Sequence, residues 1–229
     1  MRTLSEPAQP GVTANTRVLF LPAAYTGPED FVQAGFVAAV RERQLPLDLV
    51  FAELNLQNLT DRSILRRIRH ELVLPARAVG CRSIWICGIS LGGFVALAFA
   101  ERYSPEIDGL CLLAPYLGNY MITGEIERAS GVASWEPGEL AADDDERRVW
   151  RFIKSHANQP VALRLGYGRE DRFANSHGMM AAALNPAAVR VIPGGHTWPV
   201  WTQLWADFLD SQFIHQDRNL QSSAAAANR

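Results

Sequence analysis

A chain of 229 residues, 48% hydrophobic and 20% charged, is long enough to bury one substantial core and suits a single α/β domain better than two. Its net charge of -2 supplies neither the basic field that gathers nucleic acid nor a polybasic stretch that holds a membrane surface, so neither is an expected partner. The opening residues lack the layout of a signal peptide, no apolar run approaches the ~20 residues that span a bilayer, and three cysteines without a CxxC pattern read as reduced core thiols, so a cytoplasmic protein is expected.

Residues 1–15, rich in Pro, Ser, Thr and Ala without periodicity, and residues 216–229 read as flexible termini, which leaves 16–215 as the domain. Within it, short apolar runs alternate with longer amphipathic ones, the pattern of about six strands feeding crossover helices around a mostly parallel sheet. A strand at 18–23 leads to a helix at 28–43, opened by Gly27-Pro28-Glu29-Asp30, where proline and two acids suit a first turn. A strand at 47–54 is followed by a helix at 61–79, whose Arg62, Arg66, Arg67 and Arg69 decorate a solvated face. The strand at 82–88 is continuously apolar at Ile84-Trp85-Ile86-Cys87, as expected when both faces are covered.

Beyond it the chain predicts a helix at 91–103, strands at 107–114 and 161–167, a short helix at 175–184, a strand at 189–192 and a final helix at 197–214. Between 117 and 150 the alternation breaks into a small lid. The acidic run Asp143-Asp144-Asp145-Glu146 reads as a helix start rather than a metal site, because Asp143 and Glu146 stand at capping-box spacing.

Between the apolar strand and the helix at 91–103 lies Gly88-Ile89-Ser90-Leu91-Gly92. A nucleophilic serine has to be held where an acyl carbon and a neighbouring base can reach it, which favours a very tight strand-to-helix turn. Gly88, Gly92 and Gly93 remove the side chains that would collide in such a turn, and the helix amino terminus aims the Leu91 N–H at charge developing beside Ser90. GxSxG is expected by chance about 0.06 times in a chain of this length at average residue usage, so its weight depends on partners.

At these residues the chain resembles the α/β-hydrolase family, over roughly residues 16–215. The resemblance implies a small member, with the two amino-terminal strands of larger members missing or reduced, and a triad in the order serine, acid, histidine. The base lies carboxyl-terminal to Ser90 on a loop after a late strand. His196, which follows Ile192-Pro193-Gly194-Gly195 and precedes the last helix, meets that requirement best among His70, His156, His177, His196 and His215.

The family's acid commonly occupies a Gly-x-x-Asp turn, which Gly168 and Asp171 match, with Glu170 as the alternative. The second oxyanion amide comes, by the same resemblance, from the loop Leu21-Pro22-Ala23-Ala24-Tyr25. Ala24 is the donor by position and Tyr25 the alternative, although Pro22-Ala23 departs from the His-Gly found in many members.

Tyr25, Tyr116, Tyr120, Trp135, Phe173 and Trp198 fall on or near loops at the carboxyl end of the sheet, where ligands bind in open α/β folds. The expected function is hydrolysis of a small or medium acyl ester or thioester by Ser90, His196 and Asp171, with Leu91 and Ala24 as oxyanion donors and no metal or organic cofactor. A peptidase or acyltransferase would use the same triad, and a catalytically silent binding protein is the alternative of another class.

Overall fold

The computed structural model of the chain describes residues 1–10, 12, 14–55 and 63–211. Its centre is a seven-stranded sheet in the order β1-β3-β2-β4-β5-β6-β7. Strands β2 (Thr16–Leu21), β3 (Leu47–Ala52), β4 (Ser83–Ile89), β5 (Gly109–Leu113), β6 (Ala162–Gly168) and β7 (Val189–Ile192) run parallel to one another. Parallel neighbours need crossovers, and the helices supplying them cover the sheet, so Ile84, Trp85, Ile86, Cys87 and Ile89 of β4 are all buried.

The amino-terminal segment departs from the expected flexible terminus. Thr3–Glu6 forms β1, antiparallel to β3 with Thr3 opposite Ala52 and Glu6 opposite Leu49, and makes the sheet one strand wider than expected. The other flexible terminus expected, 216–229, lies outside the described residues.

Two predicted helices are more articulated than their apolar spacing implied. The helix expected at 28–43 is a pair, α1 (Pro28–Gln33) and α2 (Phe36–Glu42), because Gly35 sits at φ 90° and turns the chain between them. The next, α3, runs through 64–78, α-helical at Ile64–Arg67 and Leu74–Ala78 with a π-helical turn at Ile68–Val73 between. Pro75 explains the widening: it has no N–H to donate and its ring crowds the turn before it. Residues 61 and 62, where this helix was expected to start, lie outside the described residues.

Helix α4 (Leu91–Tyr103) is apolar on nearly every side, with 95–100 all buried, and packs between β4 and α6 (Asp145–Ser155). The final helices are α7 (Ala174–Ala182) and α8 (Trp198–Asp210). A ring cluster on one side of the sheet joins Phe20 to Phe31, Phe36, Phe51 and Trp205 at centroid distances of 4.5–5.9 Å, and Trp205 Nε1–H donates to the Phe36 carbonyl at 3.1 Å. No helix among the described residues is long and apolar enough to cross a membrane.

The insertion between β5 and β6 contains α5 (Tyr120–Arg128) and α6, and no strand. The cap of α6 is Asp144 rather than Asp143, since the Asp144 carboxylate accepts from Arg147 N at 3.1 Å; Glu146 instead reaches the chain after β5. Glu125 ties the two halves of the insertion, accepting from Arg147 at 2.6 Å and from Trp135 Nε1 at 2.8 Å.

Trp150 is fully buried and donates to the Leu117 carbonyl at 2.7 Å. Trp150→Phe leaves that carbonyl without its donor at an expected cost of about 1–3 kcal/mol, read as a Tm lowered by about 5 °C. An unchanged Tm would show that the insertion does not depend on this bond.

Candidate functional site

The strand order places the site. From β2 the chain crosses to β3 on one side and then to β4 on the other, so the loops leaving the carboxyl ends of β2 and β4 diverge and leave a crevice between them. Ser90 stands at the β4 side of this crevice and the 22–26 loop at the β2 side, with Leu21 level with Gly88 across the sheet.

Ser90 is the residue before α4 and has φ 50° and ψ -112°, a conformation that side-chain-bearing residues adopt only under constraint, at a cost of roughly 1–3 kcal/mol. The constraint is visible. Ser90 N donates to the Leu113 carbonyl at 3.1 Å, and the Ser90 carbonyl accepts from Gly93 N at 3.0 Å and Tyr116 N at 2.8 Å. A Cβ on Gly92 would meet the Leu21 and Pro22 carbonyls, and one on Gly88 the Gly92 backbone. The glycines therefore let β2, β4 and α4 approach until their backbones touch.

His196 and Asp171 come from the loops after β7 and β6. His196 Nε2 lies 2.9 Å from Ser90 Oγ, and its Nδ1 lies 2.7 Å from Asp171 Oδ2. Since a carboxylate only accepts, Nδ1 carries the proton toward Asp171 and Nε2 presents its lone pair to the serine hydroxyl. Burial raises the Asp171 carboxyl most among single causes, yet the hydrogen bonds from His196 and from Phe173 N (2.8 Å), together with the nearby imidazoles, outweigh it. The group is held below the usual carboxylate range.

The rings of Phe173 and Trp201 meet His196 edge to face at 5.3 and 5.0 Å and fix its plane. Ser90, Asp171 and His196 are thus brought together, whereas the Glu170 carboxylate accepts from Gly194 N.

Ala24 lies in a turn closed by Thr26 N and Thr26 Oγ1, both donating to the Ala23 carbonyl, at 3.3 and 3.0 Å. Among the described residues, the backbone N–H groups of Leu91 and Ala24 make no hydrogen bond. Tyr25, at φ 63°, is 94% exposed. Of the other expected aromatics, Trp135 is buried and Trp198 packs on Phe31 and Phe36. Tyr116 meets Phe173 at 5.7 Å, while its hydroxyl lies 3.2 Å from Glu146, and burial with that carboxylate pushes the phenol up to about 12.

No protein-family model and no curated protein sequence matches the chain. Solved structures do. A ferulic acid esterase aligns over 93% of this chain and 97% of its own with a TM-score of 0.58 at 13% identity. Fluorophosphonate-binding serine hydrolase F of Staphylococcus aureus, FphF, aligns over 87% and 83% with a TM-score of 0.60, also at 13% identity. Est1E from Butyrivibrio proteoclasticus aligns over 90% and 92% with a TM-score of 0.60 at 13% identity. The chain has the α/β-hydrolase fold.

Within this α/β-hydrolase fold, two residues close to the site, His177 and Glu146, have roles other than those their sequence positions suggested. His177 is fully buried, 2.8 Å from the Pro115 carbonyl through Nε2 and 4.9 Å from the Tyr167 ring, and burial pushes its imidazole below the usual range. It braces Pro115, the residue against which Gly93 packs. Glu146 accepts from Asn119 N and Nδ2 at 3.0 and 2.6 Å and so ties α6 to the chain beside Ser90. Each acts through a tertiary contact with a distant residue, which no local pattern encodes. His70 and His156 lie on α3 and after α6, away from Ser90, and His215 falls outside the described residues.

Proposed function

We propose that this protein is a serine hydrolase that cleaves small or medium acyl esters or thioesters. The hydrogen-bonded chain Ser90 Oγ, His196, Asp171 carries the proposal, because it supplies nucleophile, base and orienting carboxylate within contact distances of 2.9 and 2.7 Å. His196 Nε2 takes the Ser90 proton as Oγ attacks the acyl carbon, and Asp171 stabilises the imidazolium that forms. The same proton then goes to the departing alcohol or thiol. Water, deprotonated by His196 in its turn, releases the acyl group from Ser90.

Charge on the tetrahedral oxygen would be met by the Leu91 N–H at the start of α4 and by the Ala24 N–H across the crevice, both without another acceptor among the described residues. The preference for modest acyl groups draws support from the small insertion between β5 and β6, whose two helices have only 9 and 11 residues. Three free cysteines support a reducing compartment such as the cytoplasm.

A fluorophosphonate probe tests the proposal. It should label the wild type once, at Ser90, with no labelling of Ser90→Ala and greatly slowed labelling of His196→Ala. Folded wild-type protein that resists the probe would refute the assignment. Turnover of nitrophenyl esters and acyl-thioesters of increasing chain length should peak among short and medium chains; a maximum at long chains would overturn the size preference.

A further inference from the structure

The geometry points to Glu170 as a positioning residue that holds the histidine loop in its reactive place, an inference that rests on His196 being the base. His196 follows Gly194 and Gly195, and Gly194 sits at φ 112°, so the backbone leading to the imidazole is the most freely rotating kind a chain can have. Such a segment holds a side chain to catalytic tolerance only if it is gripped from outside, and a displacement of 1 Å can cost about 100-fold in rate.

The grip comes from the loop after β6. Arg169 N donates to the Ile192 carbonyl at 2.8 Å, Glu170 N donates to the Gly194 carbonyl at 3.1 Å, and the Glu170 carboxylate accepts from Gly194 N. Gly168 completes the seam, since a Cβ there would run into the Gly194 carbonyl. Glu170 thus brackets Gly194 on both its backbone groups, while the next residue, Asp171, holds the imidazole itself. Of these bonds to the backbone of the histidine loop, the one from the Glu170 carboxylate can be removed by substitution without altering the backbone.

Glu170 is exposed, so its removal leaves no hole in the core and acts on alignment rather than on folding. A carboxylate accepting from a backbone N–H is a charge-assisted bond, although its exposure to water limits its worth. Glutamine keeps an oxygen at the same reach, whereas alanine removes the acceptor.

Glu170→Ala should lower kcat about five- to tenfold with KM unchanged. A fluorophosphonate should label it more slowly by a similar factor but to the same end point as the wild type, which separates misalignment from loss of folded enzyme. Glu170→Gln should recover most of the rate. Hydrogen exchange at the Gly194 amide, followed by NMR, should speed up in the alanine variant and far less in the glutamine variant.

Equal kcat, labelling rate and Gly194 exchange in Glu170→Ala and wild type would overturn the inference, as would equal impairment of the alanine and glutamine variants. Failure of the wild type to label would instead remove the serine-hydrolase proposal, with the Gly194 exchange still deciding whether Glu170 holds the loop.

Discussion

Turnover is expected to fall by about 10⁴-fold in Asp171→Asn and by about 10⁶-fold in Ser90→Ala, both with the fold intact. The two losses differ in kind. Alanine at 90 deletes the attacking oxygen, so only the binding site and oxyanion donors remain. Asparagine at 171 keeps the size of the side chain but can turn its amide toward His196 Nδ1, which then has to accept. The ring proton moves to Nε2, 2.9 Å from Ser90 Oγ, and the serine loses its base. Steady-state kinetics with a short-chain ester checks both, and an Asp171→Asn enzyme keeping more than about a tenth of wild-type kcat would exclude Asp171 from the orienting role.

The same substitution has a pH signature. The Asp171 carboxyl is held below its ordinary value in the folded chain, so the stability it contributes is fully present above the ordinary carboxylate range. That stability is lost as the pH falls through the lowered folded value. The Tm difference between wild type and Asp171→Asn should accordingly shrink on acidification.

Gly92→Ala should be among the most damaging small changes in the described residues. Its methyl group would be driven into the Leu21 and Pro22 carbonyls, and both obstacles are backbone in or beside a central strand, which cannot rotate away as a side chain would. A cost of about 3 kcal/mol or more is expected, read as a Tm lowered by about 10 °C together with loss of probe labelling. Gly124→Ala is the matched control: it lies inside α5 with nothing within 4 Å of the new methyl, and should gain about 0.5–1 kcal/mol. A Gly92→Ala protein as stable as wild type would mean that the turn at Ser90 can open without cost.

What could be read in the residues follows from how local each cause is. The central strands were legible because a strand buried on both faces is a continuous apolar run, as at 84–87. The tight turn at Ser90 was legible because Gly88, Gly92 and Gly93 cluster around the serine in sequence, although the backbone that Gly92 makes room for is that of Leu21 and Pro22. Strand β1 was not, because Thr3-Leu4-Ser5-Glu6 lies at the edge, alternately half-buried and exposed, and its polar composition resembles that of a loose terminus.

The cap of α6 was displaced by one residue because three consecutive aspartates offer the same side chain at adjacent positions, and only the reach of Asp144 to Arg147 N selects among them. The oxyanion loop was placed by resemblance alone, since a backbone amide has no signature of its own. Glu170 was weighed as a possible acid; its bond to Gly194, 24 residues away, depends on how two loops meet.

Strand β1 also changes what the molecule offers to other chains. Without it, the sheet would end at β3, six residues whose outward row of N–H and C=O groups is an open template for a foreign strand. With it, that row is occupied from within the same chain, and the new border is only four residues long, with Glu6 paired to Arg41. The opposite border, β7, is equally short and carries Arg190, tied to Asp207 at 2.6 Å. A sheet so apolar at its centre thus ends on both sides in brief, charged margins that discourage it from growing into its neighbours.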